Sequence, residues 1–227
     1  MKKIKRLVLV VFYFIGRMLG YIMPFNKVKA TILVLKSKRK PDVDAIAFFG
    51  RTPQDFNDDI KKCAAETYKE GAEVMIINGI ESKDLGLSNS EWSKELKSLG
   101  IDNLESYKES TNTASEARAM VALAKKRGWK TMTLLAHSHQ ILRCIRAVVK
   151  AMEEADYEMR VYCQSPVTDW FEETAGSQNA NVMPRINHSE LEYGIMVNIL
   201  SFLRLVPAVA TAKELINYMK RRESIPI

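Results

Sequence analysis

Short apolar runs closed by polar or glycine-bearing turns alternate along this chain with segments whose apolar residues recur every three to four positions. Residues 43–50 (VDAIAFFG), 72–78 (AEVMIIN), 131–137 (TMTLLAH) and 159–165 (MRVYCQS) are of the first kind and predict buried strands. Residues 101–107 hold a shorter third strand in the same series. Phe56, Ile60, Cys63, Ala64 and Thr67 lie at helical spacing, and Gly71 stops that helix. Further helices are predicted over 89–98, 113–127 and 139–154, with Gly100 and Gly128 ending the first two. In the third, Ile141, Leu142, Ile145, Val148, Val149 and Met152 form one apolar stripe. Residues 166–186 read as irregular, and helices near 188–204 and 211–222 close the chain.

Strands alternating with helices of ten to fifteen residues call for βαβ units and a mostly parallel sheet covered on both faces. The expected fold class is therefore α/β, a Rossmann-like three-layer α/β/α sandwich spanning 43–227. Residues 1–42 form a basic, hydrophobic N-terminal segment in front of it.

That segment contains LVLVVFYFIGRMLGYIMPF (7–25), nineteen mostly apolar residues, about enough to cross a bilayer core. Arg17, near its middle, costs about 2.5–3.5 kcal/mol on insertion scales. No small-x-small cleavage site follows, which argues against a cleaved signal peptide. Three readings stay open: a spanning or dipping anchor, a helix lying in the interface through Phe12, Tyr13, Phe14 and Tyr21, and a helix packed on the soluble domain. If the run spans, the bases after it place the folded domain in the cytoplasm; a spanning or an interfacial helix makes the chain membrane-associated, and the alternative is a soluble cytoplasmic protein.

Charge adds little to the main domain. The net charge is +7, but much of the excess lies in the first forty residues, and the rest is close to neutral. The bases of the folded part are not interleaved with stacking aromatics, so a nucleic-acid partner is not expected. With 47% hydrophobic and 27% charged residues the composition is that of a folded globular chain. Cys63, Cys144 and Cys163 form no CxxC pair, and no zinc or disulfide framework follows. They read as small buried hydrophobes, the first two on helix faces and the third in a strand.

In parallel sheets of this kind ligands bind beyond the carboxyl ends of the strands, and there the sequence turns polar. After the first strand comes Gly50-Arg51-Thr52, a glycine that allows close backbone approach and an arginine suited to phosphate or carboxylate. The Gly-x-Gly-x-x-Gly fingerprint is absent. The second strand ends in Asn78-Gly79. Ser110-Thr111-Asn112-Thr113 opens a helix, and Thr113-x-x-Glu116 fits a capping box. The same helix start also suits an anionic or polar ligand group. After the run 131–137 come Ser138, His139 and Arg143, the last two on one helix face, opposite the apolar stripe. At a helix N-terminus the imidazole of His139 is biased toward its neutral, proton-accepting form.

Taken in order, DAIAFFG (44–50), Asn78-Gly79, GI (100–101), STNTASEA (110–117), GWKTMTLLAHSHQILRC (128–144) and ATAKELINYMKRR (210–222) resemble the SanA/YdcF/ElyC-like family, a bacterial domain of unknown function. The resemblance covers roughly residues 43–222. It implies a Rossmann-like sandwich, in some members an N-terminal membrane anchor, and an association with the cell envelope through peptidoglycan or lipid-carrier metabolism. It also implies S-adenosylmethionine as a candidate cofactor. Carried over by position, the site comprises Gly50, Asn78, Gly79, Asn112, Thr113 and Glu116, with His139 and Arg143 as the histidine–arginine pair.

The chain departs from the family pattern at several positions. Its first loop has fewer glycines, and the next helix offers Asp58, Asp59 and Lys61 where an arginine is usual. Tyr107 stands where an acidic residue is common, and the histidine and arginine are four apart rather than three. Two functional expectations follow. One is a membrane-associated domain that binds an anionic or nucleotide-like small molecule, with His139 as acid/base, Arg143 holding negative charge, and Arg51, Ser110 and Ser138 lining the ligand. The other is a non-catalytic envelope factor acting through partners.

Overall fold

The computed structural model describes residues 42–49, 58–81, 88–110, 112–166, 173–174, 185–186 and 209–227, with Ala30, Leu33 and Val34. The elements are β1 (Val43–Phe48), α1 (Asp58–Lys69), β2 (Ala72–Asn78), α2 (Asn89–Ser98), β3 (Leu104–Tyr107) and α3 (Thr113–Arg127). They continue with β4 (Thr131–Leu135), α4 (Ser138–Ala155), β5 (Arg160–Gln164), β6 (Glu173–Thr174), β7 (Arg185–Ile186) and α5 (Ala212–Arg221), followed by a 3₁₀ turn, Arg222–Ser224.

β1 to β5 form one five-stranded sheet in the order β3-β2-β1-β4-β5, and every pairing is parallel. The strands are buried on both faces, as parallel strands between helical layers must be. Alternation along each strand divides the residues. Ala45, Ala47, Val74, Ile76, Met132, Leu134, Val161 and Cys163 pack with α3, α4 and α5. Ile46, Phe48, Met75, Ile77, Leu135 and Tyr162 pack with α1 and α2. On that second face the Phe48 and Trp92 rings meet edge to face, centroids 4.4 Å apart. All three cysteines are buried.

Asp44 stitches the amino ends of β1 and β4. Its Oδ2 accepts from the Lys130 N–H at 2.6 Å and the Thr131 N–H at 2.7 Å, and its own N–H donates to Thr131 Oγ1. At the same end Gly128 closes α3 at φ +76°, a left-handed conformation that glycine adopts without a Cβ penalty.

Residues 166–186, expected to be irregular, contain a pairing: Glu173–Thr174 lies antiparallel to Arg185–Ile186. Two-residue strands carry too few positions to show a period of two, so they leave no periodic signal to read. The N-terminal run 7–25 and the helix expected over 188–204 lie outside the described residues. Ala30 and Val34, both helical, are buried in the core beneath α3 and α4, so that core draws on residues ahead of position 43. Among the described residues no helix is long and apolar enough to cross a membrane.

Candidate functional site

Because the strands are all parallel, their carboxyl ends share one edge. Asn78 ends β2, Tyr107 ends β3, Phe49 follows β1 and His137 follows β4. β2 and β4 flank β1, so their ends stand about 10 Å apart across it. α3 and α4 lie on the same face, and both begin at this edge.

A buried polar cluster organises the β2–β3 side. Asn78 Nδ2 donates to the Ser110 carbonyl at 2.9 Å and to Glu116 Oε1 at 3.0 Å, while Asn78 Oδ1 accepts from the Ser110 N–H at 3.2 Å. The Tyr107 hydroxyl also donates to Glu116 Oε1, at 3.4 Å. Asn78, Tyr107, Ser110 and Glu116 are all buried. The amide of Asn78 thus has both hydrogens and its oxygen engaged, which ties the end of β2 to the loop before α3 and to its first turn. Gly79 follows directly. Its N–H donates to the Tyr107 carbonyl at 3.0 Å, and that carbonyl occupies the space a Cβ at 79 would need. Asn89, at the start of α2, bridges the Asn78 carbonyl and Ser106 Oγ.

The expected capping box of Thr113 and Glu116 is not the one that forms. Asn112 is the N-cap of α3: its Oδ1 accepts from the Ser115 N–H at 2.9 Å, and Ser115 Oγ accepts from the Asn112 N–H at 3.1 Å. The cap lies one residue earlier because Glu116 shares the buried helix face with Ala117, Met120, Val121 and Ala124. From there its carboxylate turns toward Asn78 and Tyr107 and cannot reach back to the helix entrance.

The strand order reverses between β1 and β4. The chain moves outward from β1 through β2 to β3, then crosses to β4 and β5 on the other side. Such a reversal opens a crevice beyond the strand ends. On its β4 side α4 begins. Gln140 and Ile141 donate to the His137 carbonyl, so His137 is the N-cap position, yet its side chain makes no capping bond. The first turn carries no acidic residue. By contrast α2, α3 and α5 each start with a complete capping box and an acid in the first turn. The first turn of α4 therefore carries no acidic residue of its own at the positive end of the helix dipole.

Ser138 and His139 occupy the first turn of α4 by backbone, and Arg143 follows one turn on, half-buried. Gly50, Arg51 and Thr111 lie outside the described residues. Asn112 is exposed at the α3 start and Thr113 is half-buried beside it.

Sequence reasoning missed Arg146, three positions beyond Arg143 on the same helix. It is buried, its Nε donates to the Ala210 carbonyl, and the Ala210 N–H returns a bond to the Arg146 carbonyl at 3.1 Å. Burial pulls its pKa down to about 10, with Glu214 opposing the shift. The i, i+4, i+7 spacing of 139, 143 and 146 was the signal available.

Among the described residues no group of three or more His, Cys, Asp or Glu side chains is placed to hold a metal ion. No family model matches the chain, and no curated protein or solved structure matches it.

Proposed function

We propose that this chain is a Rossmann-like domain of the SanA/YdcF/ElyC-like type that binds an anionic or nucleotide-like small molecule at the carboxyl edge of its sheet. The observation that carries the reading is the start of α4: at the reversal of strand order, a helix without a side-chain cap or a first-turn acid points its N-terminus into the crevice. In this reading Arg143 holds negative charge, and His139 serves as acid/base. Asn112, Thr113 and Gly79 position the ligand from the neighbouring loops, with Gly50, Arg51 and Ser138 contributing at the crevice. S-adenosylmethionine is the ligand that the family resemblance suggests, and an enzyme of cell-envelope metabolism is the corresponding role. Residues 7–25 would hold the domain at a membrane, on the cytoplasmic side.

A thermal-shift panel of nucleotides, S-adenosylmethionine and isoprenyl phosphates tests it. A true ligand at a hundredfold excess over its dissociation constant stabilises the fold by about 2.7 kcal/mol. Arg143→Ala removes that gain while leaving the unliganded fold intact. No shift anywhere in the panel ends this reading.

A second reading, a non-catalytic envelope factor acting through partners, is favoured by the Asn78 amide. Its donors and acceptor are committed within the protein, so this residue serves architecture rather than a ligand. A His139→Ala/Arg143→Ala chain that still replaces the natural one in the cell supports this second reading against the first.

A further inference from the structure

Arg146 is only 4% exposed, although its position on α4 faces away from the apolar stripe of Ile141, Ile145, Val148 and Met152. The chain entering α5 meets it there. Arg146 Nε donates to the Ala210 carbonyl at 2.5 Å, and the Ala210 N–H donates back to the Arg146 carbonyl at 3.1 Å. This reciprocal pair fixes the guanidinium by one of its three nitrogens. Among the described residues its two Nη groups have no acceptor, and no carboxylate forms an ion pair with it. The acid whose charge reaches it is Glu214. That side chain is exposed, and its Oε2 accepts from the Thr211 N–H at 2.6 Å in the capping box of α5. With a pKa lowered by burial to about 10, Arg146 is still charged at neutral pH.

A buried cation ordinarily has its donors met by a carboxylate or by several carbonyls. The neighbours of Arg146 on α4 add positive charge instead. Arg143, half-buried, stands three positions earlier on the same face, a spacing that sets Cβ atoms about 5–6 Å apart. Positions 139 and 150 continue that face with a histidine and a lysine, and the acids of α4, Glu153 and Glu154, come only near its end. Lys150 is answered by Glu153 at 2.8 Å. Two guanidinium groups so close repel each other in a weakly polar setting, and an anion lodged against both removes the repulsion.

We propose that Arg146 is the inner anchor of an oxyanion subsite, its Nη edge taking two oxygens of a phosphate or diphosphate group that Arg143 meets from the crevice side. The inference rests on the ligand reading given above and narrows that ligand to one bearing such a group. Two arginines on one face without an acid between them suit a group with more than one negative charge, which favours phosphate over carboxylate. The planar guanidinium matches two oxygens at once, and its bond to Ala210 sets its orientation before a ligand arrives.

The test titrates the full chain with inorganic pyrophosphate and follows its melting temperature, against sodium chloride of equal ionic strength. The melting temperature should rise saturably beyond the chloride control, and Arg146→Met should abolish the rise. Adenosine diphosphate and geranyl diphosphate, run in the same way, show by tighter binding whether a nucleotide or a lipid carries the group; neither exceeding pyrophosphate assigns the site to the inorganic anion. No rise beyond chloride overturns the inference, and so does a rise that Arg146→Met retains. A shift with S-adenosylmethionine, unchanged in Arg146→Met and without any response to pyrophosphate, keeps the crevice reading and removes this inference alone. If Arg146→Met does not fold, Arg146→Lys, which keeps the charge and loses the fork, should bind pyrophosphate about tenfold more weakly. Unchanged binding in that variant equally overturns the inference.

Discussion

Asn78 Nδ2 lies 3.0 Å from Glu116 Oε1, joining residues 38 apart in the chain at the carboxyl edge of the sheet. The bond is buried at both ends, and it sets the first turn of α3 against the end of β2. The polar lip of the candidate site is built on that junction.

Asn78→Ala should therefore cost far more than an ordinary surface change. It leaves the Ser110 N–H and the Glu116 carboxylate without the amide that serves them, and each abandoned buried group costs about 1–3 kcal/mol. The expected loss is about 2–5 kcal/mol in urea unfolding, with an unchanged slope. A loss below about 1 kcal/mol would mean that the cluster relaxes or takes in water.

Gly79→Ala probes the close approach of β2 and β3. The Tyr107 carbonyl stands where the new methyl must go, so the strand ends have to part. Overpacking of this kind costs about 1–3 kcal/mol. Hydrogen exchange should quicken at the amides of 79 and 110 before it changes in β4. A neutral substitution with unaltered exchange would contradict the contact.

Two threonines on one face of β4 should respond in opposite directions. Thr133 Oγ1 is fully buried and finds no hydrogen-bond partner among the described residues. Thr133→Val should stabilise the fold by about 1 kcal/mol by removing an unsatisfied hydroxyl. Thr131 Oγ1 donates to Asp44 Oδ2 and accepts from the Asp44 N–H. Thr131→Val should destabilise by about 1–3 kcal/mol. Melting both variants side by side decides the matter; the same sign for both would refute the assignment.

The cysteines and the alkaline limb form a fourth test. Burial pushes the Cys163 thiol up to about 12. With a folded pKa above the unfolded one, its contribution is complete below about pH 9 and erodes as the pH rises toward 12. Tyr218, also raised by burial, acts in the same direction above pH 10. Arg146 acts in the opposite sense, because its burial penalty relaxes above about pH 10. Stability should thus decline between pH 9 and 10, with a shallower slope in Cys163→Val. A disulfide-exchange reagent at pH 8 should find the three buried thiols unreactive until the chain unfolds. Rapid reaction of the native protein would contradict their burial.

The strands and helices were legible because burial on both faces writes continuous apolar runs, and burial on one face writes a helical period. β1, β2, β4 and β5 fall within the runs expected for them, and α4 covers the stripe from Ile141 to Met152 with one residue added at each end of 139–154. The polar strand ends were legible for the same reason, since Asn78-Gly79 and His137-Ser138-His139 interrupt those runs. The cap of α3 was misplaced by one residue. Asn112 and Thr113 are both able caps, and the choice between them depends on where Glu116 goes, which no local rule states.

The amino-acid sequence by itself determined the element types, their alternation, and the edge of the sheet at which chemistry-bearing residues collect. Periodicity and turn residues are local properties, and parallel βαβ units send every strand end to the same side. Only the tertiary structure decided the strand order, the inward turn of Asn78 toward Glu116, the burial of Arg146 against Ala210, and the closing of the β5 edge by Tyr218 and Arg222. The last three join groups 38 to 64 positions apart. Over such separations the partner is selected by packing and by the need to satisfy buried donors and acceptors, and neither leaves a periodic trace in the chain.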